Sequence, residues 1–177
     1  NGGYHSKLGI SKELDISLMN VTRGVQELEE LGLLVTRKKG RSSMVTMSME
    51  RQALLDKAKD YLRNPVQKRL YVKAEDWILD LPKAGMEAKL VKTAGRGEKD
   101  SLGHVIRAIE KREYLKCADM ITSIDPAWDT EETYVELEVW RYDPTRFTGK
   151  HIVDSISLSL SFLGEDDSAL NLNINEL

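Results

Sequence analysis

Between residues 17 and 26 the chain carries Ser17, Asn20, Thr22, Arg23 and Gln26, short polar groups and one arginine within about three helical turns. Asparagine and glutamine amides can pair bidentately with adenine, and arginine with guanine or a phosphate. A helix N-terminus also favours phosphate. A second group follows, in which Arg37, Lys38, Lys39, Arg41 and Ser42 surround Gly40. Cations gathered at a turn suit a phosphate backbone or the negative potential of a minor groove. Lys68, Arg69 and Lys73 extend this character, either flanking a nucleic-acid backbone or keeping a linker solvated. From residue 37 to residue 73, 11 basic residues face only Glu50, Asp56 and Asp60. Such a block suits a polyanion-binding lobe and equally a solvated face.

The rest of the chain is acidic. Residues 1–73 hold 14 Lys/Arg and 8 Asp/Glu, residues 74–177 hold 12 and 21, so the second half repels phosphates. Other chemistries find fewer residues. Cys117 is the single cysteine, which excludes an intrachain disulfide or a cysteine-based zinc site. His5, His104 and His151 are too far apart for a short ligand motif. Gly95 and Gly97 lack phosphate-loop spacing, and Arg96 and Lys99 beside them mark an exposed loop. Glu136 and Glu138, with Asp154 further along, have the chemistry for a divalent ion or acid–base work. Alternation on the solvent face of a strand accounts for the two glutamates more simply. No Ser-His-Asp arrangement or His-Glu-x-x-His motif accompanies them. The expectation is therefore a protein that is not an enzyme, with no cofactor and no metal. With no run of 18 apolar residues and no secretory leader pattern, it is expected to be cytoplasmic and free of membrane.

At 177 residues, 41% hydrophobic and 31% charged, the chain has the make-up of one or two small folded domains. The polar set is positioned by two expected helices. Leu8, Ile10 and Leu14 give the first its apolar side, Ile16 packs at a turn, and Ser17 N-caps the second. Val21, Val25, Leu28 and Leu31 form an amphipathic stripe over residues 18–31, and Gly32 stands where a C-terminal glycine stops a helix. Leu33–Val35 and residues 44–48 are expected strands joined by the charged turn at Gly40. Helix, turn, helix and basic hairpin is the order of a winged helix. Glu27, Glu29 and Glu30 confine the expected contact to the first half of the second helix.

Residues 8–35, above all the run Asn20-Val21-Thr22-Arg23-Gly24-Val25-Gln26-Glu27-Leu28-Glu29-Glu30-Leu31-Gly32-Leu33-Leu34, resemble the helix-turn-helix of bacterial winged helix regulators of the MarR group. The resemblance implies that residues 18–31 read DNA and residues 36–47 form the wing. It covers about the first quarter of the chain, which then turns strand-rich where MarR proteins continue in long dimerising helices. Residues 61–72, followed by Ala84-Gly85-Met86-Glu87-Ala88, are similar to the junction in AbiEi-like antitoxin regulators encoded beside nucleotidyltransferase toxins. That likeness implies a repressor with an appended non-catalytic domain.

Beyond the wing, residues 51–62 read as a helix ended by Asn64-Pro65. Leu70 and Val72 suggest a strand, Trp77-Ile78-Leu79 a turn or helix, and residues 84–94 a further helix. Val105, Ile106 and Ile109 open another element before a short helix over residues 110–117, in which Cys117 is a partly buried small hydrophobe. Residues 120–124 are an expected strand, residues 129–132 an acidic turn, and residues 134–142 the clearest strand, with Val135, Leu137 and Val139 on one face. Residues 152–163 alternate Ile156, Leu158, Leu160 and Phe162 with serines, which favours a strand. A helix capped by Asp154, as in the toxin-partner group, is the rival. The tail, residues 166–177, reads as a last strand or a dimer-forming segment. Trp128, Trp140, Tyr134 and Tyr142 line either a binding surface or a core.

The expected fold class is α+β. A winged helix-turn-helix (residues 1–50) and a linking helix with basic junction (51–73) precede a small acidic α/β domain with an antiparallel sheet (74–177). The expected function is that of a sequence-specific DNA-binding repressor, a homodimer on double-stranded DNA and an autoregulating antitoxin in one version. The alternative is a protein-interaction module whose acidic domain binds and neutralises a partner such as a toxin, without specific DNA binding.

Overall fold

The computed structural model describes residues 3–40, 42–93, 105–129, 133–149 and 151–163, apart from the side chains of Lys39 and Thr93. Arg41, the loop with Gly95, Arg96, Gly97 and Lys99, His104, Glu131 and Glu132 of the acidic turn, and the tail 166–177 lie outside the described residues. Two compact units divide the chain at residues 62 and 63, inside the expected junction.

The first unit opens with α1 (Lys7–Leu14), whose N-cap Ser6 accepts a hydrogen bond from the Gly9 N–H. Asp15, at φ 49°, ends it. The Ser11 hydroxyl donates to the Ile16 carbonyl at 2.6 Å and braces the turn into α2 (Leu18–Glu30). Ser17 caps α2 as expected, its Oγ accepting from the Asn20 N–H at 3.2 Å. At the other end Gly32 adopts φ 66°; its N–H donates to the Glu29 carbonyl and that of Leu33 to the Leu28 carbonyl, a Schellman closure. Strands β1 (Leu34–Lys39) and β2 (Ser42–Met47) pair antiparallel, with His5 bridging Val45 at their edge. Val21, Val25 and Val45 form the core here, joined by Ile10 and Leu34. The apolar stripe is narrower than its spacing suggests, because Leu28 remains 37% exposed. Helix α3 (Arg51–Ala58) follows, and Lys57 and Ser48 both donate to the Gly32 carbonyl beyond the end of α2.

The second unit is built on a three-stranded sheet in the order β3 (Val66–Lys73), β5 (Tyr134–Trp140), β4 (Ile106–Glu110). The sheet is mixed and open, which corrects the expected antiparallel arrangement: β3 runs antiparallel to β5, but β4 runs parallel to it. A parallel pair needs a long crossover. It is supplied by α6 (Lys111–Cys117), a 3-10 turn at Ala118–Met120 and the segment up to residue 133. The expected strand at residues 120–124 reduces to a single bridge between Ser123 and Val72.

Both faces of this sheet are covered. Val72, Ile109, Val135, Leu137 and Val139 pack on one side with Ile78 of α4 (Asp76–Leu79). Trp140, Ile106 and Ala108 pack on the other with Ala84, Val153, Ala88 of α5 (Gly85–Thr93) and Leu158 of α7 (Ser155–Ser161). The segment expected as an alternating strand is thus helix α7, and Asp154 caps it by accepting from the Ser157 N–H at 2.8 Å. Its serines allow this, since the Ser159 hydroxyl donates to the Ser155 carbonyl and that of Ser161 to the Leu158 carbonyl. Double coverage also overturns the solvent-face reading of the glutamates. Glu138 is 1% exposed and Glu136 is half-buried. Among the described residues no helix is long and apolar enough to cross a membrane.

Candidate nucleic-acid interface

Helix α2 has two faces fixed by its 3.6-residue period. Val21 and Val25 turn into the core, so Met19, Arg23 and Gln26, spaced by four and three residues, share the opposite face. Ser17, Asn20, Thr22, Arg23 and Gln26 are all exposed, and a shallow depression is lined by Leu18, Met19, Thr22, Arg23 and Gln26. Met19, at 68% exposure, was not among the residues expected from sequence, although its spacing from Arg23 marks it. An exposed thioether beside polar groups suits the apolar edge of thymine.

The polar side chains are not equally available. The Ser17 oxygen is occupied as a cap, though its own proton is free to donate. The Thr22 hydroxyl donates to the Leu18 carbonyl at 2.8 Å, and the Gln26 amide to Glu30 at 3.2 Å. Asn20 and Arg23 make no side-chain hydrogen bond or ion pair with a described residue. They are the two groups of this face with full capacity for a ligand.

On the hairpin, Lys39 pairs with Ser42, leaving a two-residue loop whose first member, Gly40, has φ 63°. Arg37, Lys38, Ser42 and Ser43 are exposed along the two strands. The unit's net charge is modest, however. Residues 1–62 contain ten Lys/Arg and eight Asp/Glu, a net of +2, because Arg63, Lys68, Arg69 and Lys73 belong to the second unit. The positive charge of the first unit is therefore a local property of the hairpin and Arg23.

Lys68, Arg69 and Lys73 sit on β3, and Arg69 is committed within the sheet. Its Nε lies 3.1 Å from Glu138 and 3.4 Å from Glu136, and it also donates to the Ser161 carbonyl. Lys68 lies over the Tyr114 ring, 5.7 Å from its centre. Burial pushes the Glu138 carboxyl above its ordinary range, against the indole N–H of Trp140 and the charge of Arg69, which pull it down. Of the aromatic residues considered for a binding surface, Trp140 is wholly buried, Tyr142 bonds Ser157 at 2.8 Å, and Trp128 is 84% exposed. Among the described residues no group of three His, Cys, Asp or Glu side chains is placed to hold a metal ion. Comparison with protein-family models, with curated proteins and with solved structures yields no match for this chain.

Proposed function

We propose that residues 1–62 are a winged helix module that binds double-stranded DNA, and that the protein is a sequence-specific transcriptional regulator acting as a repressor. The observation that carries this reading is the outward face of α2, where Met19, Asn20, Arg23 and Gln26 are exposed opposite a core of Val21 and Val25. In this reading the first half of α2 enters the major groove, Asn20 and Arg23 reach base edges, and the N-terminus of α2 meets a phosphate. Arg37 and Lys38 of the hairpin hold the backbone or enter the minor groove. Glu27, Glu29 and Glu30 on the second half keep that end clear of phosphates. A homodimer of such modules reads two half-sites about one DNA turn apart.

Fluorescence anisotropy with the gene's own upstream DNA and a scrambled duplex, at two salt concentrations, tests this. Arg23→Ala is expected to cost about 1–3 kcal/mol on the preferred duplex and to relax the preference. Lys38→Ala is expected to weaken both duplexes alike and reduce the salt slope by about one. Equal affinity for the two duplexes, or variants that bind as the parent does, removes the assignment.

A further inference from the structure

Strands β4 and β5 run parallel and finish together, with Glu110 paired to Trp140. There the chain separates, β4 leading directly into α6 and β5 into the turn at Asp143, Pro144 and Thr145. The separation opens a cleft of about 630 Å³, within the range of small-molecule sites. In open α/β sheets the crevice beyond the carboxyl ends of parallel strands is the place where ligands bind. The walls are largely apolar, with Trp77, Leu81, Pro82, Ile109 and Pro144 contributing. The Trp77 N–H donates to Glu75 at 2.9 Å, which holds the indole in place.

Charge in the lining is one-sided. It includes Glu110, Glu113 and Asp143 but one cation, Lys116, which is already 2.6 Å from Glu113. Asp143 Oδ1 accepts from the Thr145 N–H and hydroxyl, and its second oxygen takes no hydrogen bond from a described residue. Glu110, with its side chain 22% exposed, has as its nearest described cation Arg112, 3.9 Å away and itself 77% exposed. Two carboxylates with spare acceptor capacity thus border an apolar cleft.

We propose that this cleft binds a small organic cation, an apolar body carrying a protonated amine, with Glu110 and Asp143 receiving the charge. The proposal concerns the second unit and stands apart from DNA binding by the first. Cys117, the chain's single cysteine, lines the same cleft and is half-buried, which makes its alkylation a reporter of occupancy. The full chain is treated with iodoacetamide at mildly alkaline pH with increasing 2-phenylethylamine or, separately, 3-phenylpropionate, and labelling is followed by mass spectrometry. The amine is expected to protect saturably, slowing alkylation about fivefold at about four times its Kd, and the acid is expected not to protect. The double variant Glu110→Gln, Asp143→Asn is expected to weaken protection about tenfold. No saturable protection by the amine, or equal protection by the acid, overturns the proposal. So does undiminished protection in the double variant. The amine–acid comparison on the parent protein holds whether or not the variant folds.

Discussion

The two units solve the problem of polar residues in opposite ways. The first has a core of three valines, and α1 and α3 bury no residue completely, so nearly all its charged groups stay in water. The second buries both faces of a sheet and takes charges inside with it. Glu87 and Arg107, each 7% exposed, pair directly, while Glu87 also accepts from the Ile106 N–H at 2.9 Å and from Lys83 at 3.0 Å. Arg107 donates further to the Leu79 carbonyl, so one ion pair ties α5, β4 and the end of α4 together. A thin core leaves side chains free to meet a partner. A thick one spends them on internal order.

The largest expected effect strikes the second unit. Trp140→Ala removes a wholly buried ring from the covered sheet face at the C-terminal end of β5 and is expected to cost about 3–5 kcal/mol. Urea unfolding followed by the emission of Trp77 and Trp128 measures it, since all three tryptophans lie in residues 63–177. A loss under about 1 kcal/mol would break the contrast.

Next comes Glu87→Gln, which leaves Arg107 buried without its counter-charge and is expected to cost about 3 kcal/mol near neutral pH. Burial alone raises the Glu87 carboxyl, but the Ile106 N–H, Lys83 and Arg107 outweigh it and hold it below its ordinary value of 4.5. A depressed carboxylate contributes stability above its unfolded pKa and loses it as pH falls through the folded one. The variant is therefore expected to show a shallower loss of stability below about pH 4.5 than the parent. Glu138, raised by burial, acts in the reverse sense: its contribution is full below the unfolded pKa and declines as pH rises towards the folded one.

Smaller effects belong to the first unit. Ser17→Ala removes the α2 cap and is expected to cost about 1 kcal/mol, read as faster amide exchange along α2. Arg23→Ala, on an exposed face without an ion pair to a described residue, is expected to change stability by less than about 0.5 kcal/mol while still weakening DNA binding. A large stability loss there would show that Arg23 serves the fold, and the reading of α2 as a contact surface would go with it.

The first unit was legible because its signals are local. Ser17, the Val21 and Val25 spacing and Gly32 each act within a few residues of themselves, and the structure places the cap, core face and stop accordingly. The second unit defeated local reading where long-range contacts decide. Glu138 alternates like a solvent-facing strand residue, yet Arg69 from β3 and the coverage by α5 and α7 make its burial tolerable. The cleft at Glu110 and Asp143 joins residues 33 apart in the chain, a neighbourhood created by parallel pairing of β4 and β5. No sequence period encodes that.

Residues 152–163 show where the division lies. Their alternation of serine with Ile156, Leu158 and Leu160 suits a strand, while Asp154 suits a helix cap, and both readings follow from the residues alone. Tertiary structure chose the helix, burying Ser157, Leu158 and Ser161 together against the sheet face that holds Trp140. The sequence by itself determined the elements whose hydrogen bonds and apolar stripe close within one or two turns. Which faces are buried, which strands run parallel and which charges are enclosed depended on partners far along the chain, because burial is a property of what packs on top.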